Sequence, residues 1–591
     1  MSAGMPLWRI KNTEPGSLLE QAIRSRGLEE SGLAGGELPA PDDVPGAWEA
    51  ARRLCEAIQK SEKIAVFGDY DCDGVCGAFI MGEALKRAGA DVLVRVPLRS
   101  EGFGLRPSQV KELAEKGAKV IVTVDNGTTA AEAAEAAAGL GVELIITDHH
   151  EPRGRIARCS VLVNPKLRAG ASGFREYSGA GVAWLVSSAL SRTAGIVPPE
   201  DLLDAACLAT IVDVAPVTGP NRALARRGLE QMRRGMRPGL KALAEAAGVK
   251  TVGGWSMMWQ LGPRINAAGR MSDAALALEL LRSPDLPRAR PLAEKLDGLN
   301  RERQEIVKQV VEECLASYDG SWFPVFVGDW PSGVVGVAAG RLAECLRRPV
   351  LVGREDAGAV KASGRTVGEF HVLDALEESR RRCGLPERSG GHAKACGAEF
   401  SVRDLPALRR ELDRIARERL RPEDVADVLD VDGVIRAAPG INDVAELDRL
   451  EPFGDSNPEP VYALAGKVES VRRGDGWQMV RLKGMKFFVP AELSVVEGGV
   501  LHAAVTPVID EWNGTLSVSA RAQDVRDFTL TREVLAETYT AWRAGKTVPA
   551  PAKQVFEELG LLKDGPGQPG KKDLLESETF RKYGAVVLRL R

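Results

Sequence analysis

Hydrophobic and polar positions change rhythm at residue 63. "KIAVFG" is a short continuous apolar run, as in a strand buried on both faces. "GAFIMGEALKRAGA" follows with apolar positions at helical spacing. The alternation repeats through "DVLVRVPL" and "PSQVKELAEKGA", then "KVIVTVDNG" and "AAEAAEAAAGLG", then "VELIITDHH" and "CSVLVNP". Strands alternating with helices of this length predict an α/β fold, a parallel sheet covered on both faces. A second α/β unit opens at "PVFVGDWPSGVVGVAAGRLAECLRRPVLV". From about residue 425 short alternating strands take over, "GKVESVRR", "WQMVRLKG", "MKFFVPA", "LHAAVTPVID" and "TLSVSARA", parted by turns such as "GDG" and "NG". That predicts a small all-β domain.

These rhythms divide the chain into an N-terminal extension (1–45), a parallel-sheet domain (46–215), a helical connector (216–318), a second α/β domain (319–420), a β domain (425–530) and a small C-terminal domain (531–591). A chain of 591 residues has room for several domains with ample core. No apolar run reaches the ~20 residues that span a membrane, and "MSAGMPLWRIKNTEPG" has no signal-peptide core. Nine cysteines, an odd number without a CxxC pair, argue against disulfides and zinc ribbons. A cytoplasmic protein is expected. The net charge of -3 does not announce a polyanion partner, but binding depends on a patch and not on the sum.

The chemistry gathers where predicted strands end. "DYDCDG" (69–74) packs three aspartates into five residues, and like charges at that range repel unless a cation offsets them. The run matches the start of an EF-hand loop, but position 12 is Ile80 instead of glutamate, and a strand precedes it instead of a helix. Asp71 and Asp73 therefore close the first strand; Asp125 closes another; Asp148, His149 and His150 close a third. Asp213 follows the apolar run in "LATIVDVAP". Ligands bind at the carboxyl ends of strands in such sheets. One strand-end aspartate is usually a helix cap or turn former. Capping does not explain four segments that each deliver an oxygen or imidazole ligand. That donor set suits Mg²⁺ or Mn²⁺ better than zinc.

"DYDCDG", "VDNG", "TDHH" and "VDVAP", in this order, resemble the four motifs of the DHH phosphoesterase family. "SGAGVAW", "LGPRINAAGRM", "KASGR", "GGHAKACG" and "EPFGDSNPEPVYAL" resemble the further blocks of its bacterial single-strand-specific exonucleases, over about residues 60 to 530. In "VPLRSEGFGL" the arginine stands one residue nearer its aromatic than in the family pattern. The resemblance implies a DHH domain, a DHHA1 domain that closes over the metal site, and an OB-like domain that binds nucleic acid. It implies a metal-dependent 5′→3′ exonuclease acting on single-stranded DNA in repair and recombination, with single-strand-binding protein and a helicase as partners. Related readings are a hydrolase of oligoribonucleotides or cyclic dinucleotides, a pyrophosphatase, and a non-catalytic replication scaffold. The OB-like segment argues against the first, the C-terminal domain against the second, and the complete acidic set against the third.

Two divalent ions can activate water, offset charge on the phosphorane and stabilise the leaving oxygen. Asp71, Asp73, Asp125, His149 and Asp213 are the expected ligands, with Asp125 bridging. Asp69 and Asp148 are expected to orient ligands, and His150 to meet the scissile phosphate or protonate the leaving group. Arg99, Phe103, Arg264, Asn266, Arg270, Lys361, Ser363, Arg365, Gly391 and His392 are the expected substrate contacts. Glycine-rich loops such as "KASGR" and "GGHAKACG" let backbone N–H groups approach phosphate. Six arginines in "RALARRGLEQMRRGMRPG" predict a face along a DNA path. Trp477, Phe487, Phe488 and Trp512 are candidates for base stacking, and Arg472, Arg473, Lys483 and Lys486 for the backbone. The basic end "FRKYGAVVLRLR", beyond the linker "KDGPGQPGKK", is a further candidate contact.

Overall fold

Five apolar runs form one parallel sheet. They are β1 (Ile64–Phe67), β2 (Val92–Arg95), β3 (Val120–Val124), β4 (Glu143–Thr147) and β5 (Val161–Val163), in the order β2-β1-β3-β4-β5. The order reverses between β1 and β3, which opens a crevice at their carboxyl ends. This is a computed structural model that describes residues 6–587, apart from 31–32, 34–35, 153, 387–388, 492, 494, 513, 527–529, 531, 545–549, 562–572, 575–576, 578 and 581–584. It falls into two compact units. The first comprises Ser31–Ile306 and Leu450–Pro458 and holds this sheet.

Helices cover both faces, as the unbroken burial of β1 and β3 requires. On one face α1 (Ala47–Gln59), α2 (Cys72–Arg87) and α5 (Gly179–Ala194) share a core with Val66, Val122 and Ile145. On the other, α3 (Pro107–Glu115) and α4 (Ala131–Gly139) pack on Ala65, Phe67, Ile121 and Ile146. Helices α6 (Leu203–Val212) and α7 (Gly219–Gly235) join the first core, as does Ile265 of α8 (Gly262–Met271). Asp213 therefore ends a helix and not a strand. "LDAACLATIV" is buried along nearly its whole length, and an apolar run buried all round does not declare its period.

In the segment expected to line a DNA path, four of the six arginines bond within the protein. Arg222 donates to the carbonyl of Leu450, Arg226 to that of Leu33, Arg233 to Glu451, and Arg237 to Asp204. Arg222, Arg226 and Arg233 tie the helix to its own unit, and Arg237 does the same for the residues that follow it.

The second unit comprises Met1–Glu30, Val307–Arg449 and Glu459–Arg591. Its five-stranded sheet contains β6 (Val325–Gly328), β7 (Val350–Asp356), β8 (Ala359–Arg365), β9 (Ser389–Gly391) and β10 (Ala395–Ser401), in the order β9-β10-β8-β7-β6. A seven-stranded sheet follows, from β11 (Gly433–Ile435), β12 (Tyr462–Lys467), β13 (Ser470–Arg473), β14 (Trp477–Leu482), β15 (Met485–Pro490), β16 (Val500–Trp512) and β17 (Thr515–Arg526). The strand Leu7–Ile10 pairs in parallel with Val428–Val431 and with Ala585–Val587, so the first residues of the chain share a sheet with the C-terminal half. The linker "KDGPGQPGKK" and most of "FRKYGAVVLRLR" lie outside the described residues.

Candidate metal centre

The glycine that closes "DYDCDG" is there for backbone contact. A Cβ on Gly74 would stand 2.4 Å from the Asp69 nitrogen. Asp71 caps α2 by accepting from the Gly74 N–H at 3.0 Å. Asp73, in the first turn, accepts from the N–H groups of Gly179 (2.6 Å) and Ala180 (2.8 Å) at the start of α5. Ser178 caps that helix, so "SGAGVAW" positions an aspartate. Asp125 ends β3 with φ 64, a left-handed conformation unusual for a residue with a side chain.

Asp148 organises the histidine pair. One of its oxygens accepts from the N–H groups of His149 (2.8 Å) and His150 (3.1 Å) and lies 2.9 Å from His150 Nδ1. The other accepts from the Thr128 N–H at 2.9 Å. Asn164 donates to the carbonyl of His150 at 2.9 Å. Asn126 accepts from Leu105 and donates to the carbonyl of Val124, tying the loop that carries Phe103 to the end of β3.

The acids and imidazoles converge. Ligand atoms of Asp73, His149 and Asp213 lie within 4.8 Å of one another, as do those of Asp69, Asp71 and Asp125, and those of Asp125, His149 and His150. His149 Nε2 stands 3.0 Å from Asp125 Oδ1 and 3.5 Å from Asp73 Oδ2. Buried Asp69 Oδ1, Asp125 Oδ1 and His149 Nε2 make no hydrogen bond among the described residues. Such atoms are costly unless a ligand satisfies them.

Electrostatics agrees. Burial first, then Asp71, pushes the Asp73 carboxyl up to about 7. Burial and neighbouring carboxylates likewise raise Asp69, Asp125 and Asp213. Burial, then His150, brings His149 down to about 3 and keeps it a neutral donor. Burial opposes charge on His150, but its bond to Asp148 prevails and raises it. Crowded carboxylates and a neutral imidazole, with no thiolate, fit hard divalent cations.

Around this centre, Arg99 lies over the Tyr70 ring at 4.7 Å, and Phe103 meets the His150 ring edge-on at 5.2 Å. Tyr70 had no sequence signal beyond its place between two aspartates. Asn266 accepts from the Cys72 N–H at 2.8 Å and so braces the acidic loop. Arg264 is bonded to Asp297 (2.9 Å) and to the carbonyl of Gln260. Arg270 is near enough to Tyr70 to oppose the rise of its phenol, which burial and Asp69 push up to about 12.

The other expected contacts belong to the second unit and form their own group. Lys361, Ser363 and Arg365 alternate along β8 with buried Val360, Ala362 and Gly364. Arg365 pairs with Ala395, whose carbonyl accepts from the His392 N–H at 2.8 Å. Gly391 has φ 135, and a Cβ there would meet the Ala395 carbonyl at 2.3 Å. In the seven-stranded sheet Trp477 and Phe488 are 38% and 62% exposed and meet edge-on at 5.3 Å. Phe487 is core, and Lys483 is bonded to the carbonyls of Ile435 and Arg436. The Trp512 side chain lies outside the described residues.

Comparison with known proteins decides the family. The model of the DHH family, N-terminal domain, matches residues 63–210, and that of the DHHA1 domain matches 319–418. The single-stranded-DNA-specific exonuclease RecJ of Thermus thermophilus is 34% identical over 490 residues, 82% of this chain and 71% of that protein. The chain belongs to the RecJ family. RecJ of Escherichia coli is 32% identical over 75% of this chain and 82% of its own length. RecJ of Bacillus subtilis is 36% identical over 73% of this chain, but the match spans only 56% of that protein. A crystal structure of Thermus RecJ in complex with Mn²⁺ aligns with TM-score 0.76 at 28% identity, over 92% of this chain and 88% of that one. No helix among the described residues is long and apolar enough to cross a membrane.

Proposed function

We propose that this chain is a metal-dependent exonuclease that hydrolyses phosphodiester bonds of single-stranded DNA from the 5′ end, in DNA repair and recombination. The observation that carries the reading is the convergence of five aspartates and His149 at one sheet crevice, with buried ligand atoms that make no hydrogen bond among the described residues. Its relatives, named as single-stranded-DNA-specific exonucleases, point the same way.

Asp71, Asp73, Asp125, His149 and Asp213 would hold two Mn²⁺ or Mg²⁺ ions, with Asp69 beside Asp71 and Asp125 as a further carboxylate. Asp125 belongs to two of the three ligand groups, which suits a bridge. Relatives have been solved with each of these cations. Bound there, the ions supply Lewis acidity and positive charge to the phosphoryl group.

The remaining residues bind and position. Asp148 fixes the His150 ring and favours its protonated form, so His150 can hold a proton for the leaving oxygen. Arg99, held over Tyr70, offers a cation for a phosphate beside the cluster. Lys361, Ser363, Arg365, Gly391 and His392 would bind phosphates of the strand. Trp477 and Phe488, with Arg472 and Lys486, offer stacking and charge to a longer strand. A cytoplasmic setting follows, with single-strand-binding protein and a helicase presenting the strand.

The test is cleavage of an end-labelled single strand with Mn²⁺ or Mg²⁺, beside a blunt duplex, the matching RNA and an EDTA control. Metal-dependent release of 5′ nucleotides from the DNA single strand alone is expected. Preference for duplex, or release in EDTA, would overturn the reading.

A further inference from the structure

A cavity of about 430 Å³ opens beside the metal centre, on the side of the sheet covered by α3 and α4. Its wall includes Phe103, Arg106, Gly127, Thr129, Glu132 and Arg155. These come from the segments that follow β2, β3 and β4, the same segments that deliver Arg99, Asp125 and the histidine pair, with Glu132 in the first turn of α4. The volume lies within the range of about 300–1,000 Å³ common to small-molecule sites.

Three features give the cavity a chemical preference. Phe103 is 50% exposed, and its edge contact with His150 joins the cavity wall to the metal centre. Exposed aromatic faces stack bases of any sequence. Arg106 makes no ion pair among the described residues. Arg155 pairs with Glu135 at the exposed surface, where such a pair contributes little and can yield to a phosphate. The backbone N–H groups of Glu132 and Ala133, in the first turn of α4, have no partner among the described residues and add donors at the same wall. The Glu132 carboxylate also lines the space and is suited to a sugar hydroxyl or base amino group.

We propose that this cavity is a nucleotide subsite, with Phe103 stacking the base and Arg106 and Arg155 holding a phosphate. Its ligand is a nucleoside phosphate: either the unit of the strand flanking the scissile bond or the mononucleotide released by cleavage. The inference rests on the function proposed above.

The test uses the full chain with Mn²⁺, a 5′-phosphorylated thymidine pentamer as substrate and thymidine 5′-monophosphate as inhibitor. The Arg106→Ala/Arg155→Ala double variant should raise KM for the pentamer, or Ki for the monophosphate, about tenfold, roughly one charge-assisted hydrogen bond. KM should rise more than kcat falls. Thr129→Trp, which fills the cavity from an exposed position, should act in the same direction. A change in KM alone assigns the cavity to the strand, a change in Ki alone to the product, and both to a unit that passes from one role to the other. Neither constant moving, in variants that melt like the parent, overturns the subsite. Equilibrium dialysis of labelled monophosphate reads the cavity without turnover. If the parent binds the nucleotide but cleaves nothing, the proposed function fails and the subsite does not.

Discussion

The Gly179 N–H donates to Asp73 at 2.6 Å, and a Cβ on Gly179 would come within 2.6 Å of the Asp125 Cβ. One glycine thus holds one acid and leaves room for another. Gly179→Ala should force Asp125 aside, cost roughly 1–3 kcal/mol as overpacking does, and abolish cleavage. Urea unfolding beside a cleavage assay checks this. Full activity in the variant would mean that the approach of α5 to β3 is not needed for the centre.

The two histidines should separate by function. His150→Ala should lose about 10²–10⁴ in turnover, as for other acid–base groups, and keep most of its Mn²⁺ affinity. His149→Ala should lose the affinity itself, because its buried Nε2 is one of the convergent donor atoms. Calorimetric titration with Mn²⁺ distinguishes them. Equal loss of affinity in both variants would refute the division.

Chelated protein should show the raised carboxyl groups as a pH dependence of stability. Asp73 sits at about 7, against an unfolded value of ~3.9. A raised acid favours the fold in its protonated form. Its contribution is complete below the unfolded value and is lost as pH rises through the folded one. Asp69, Asp125 and Asp213 shift in the same direction. His149 acts oppositely, but only below its unfolded value near 6.5. Melting in EDTA should therefore fall between pH 6.5 and 8.5, and saturating Mn²⁺ should remove the fall. A metal-free melting point that climbs over this range would contradict the cluster's electrostatics.

Arg237 should matter for the fold and not for DNA. Its Nε donates to the buried Asp204 at 2.6 Å, and its guanidinium lies over the Phe79 ring. Arg237→Ala leaves Asp204 buried without its partner and should cost about 3–5 kcal/mol. Double replacement by Ala and Leu, with Asp204→Leu, should recover much of that. Unchanged stability with weakened DNA binding would favour a DNA-facing role for Arg237.

Legibility in the sequence followed the physics of each segment. The strands of the parallel sheet were plain because each is a short apolar run bounded by turns and followed by a helical period. Their terminal acids were plain for the same reason. Asp213 was found, but its helix read like a strand because burial on every side erases the period. The bonding of the arginines in and just after α7 was not legible, because a guanidinium that bonds to Leu450, Leu33 or Asp204 has the same sequence signature as one in solvent. Partners distant along the chain, such as Leu7–Ile10 against Val428–Val431, carried no local signal. Nor did the cradle of Gly179 and Ala180 around Asp73, which joins segments 106 residues apart.

Asp125 stands in two of the three ligand groups, so its replacement should disable the whole centre. The deciding measurement is release of label from a 5′-end-labelled single strand by the parent and by Asp125→Asn, both with Mn²⁺. The parent should release labelled mononucleotide, and Asp125→Asn should release none while melting no lower than the parent in EDTA. Release by Asp125→Asn at the parental rate would contradict a metal centre built on these carboxylates.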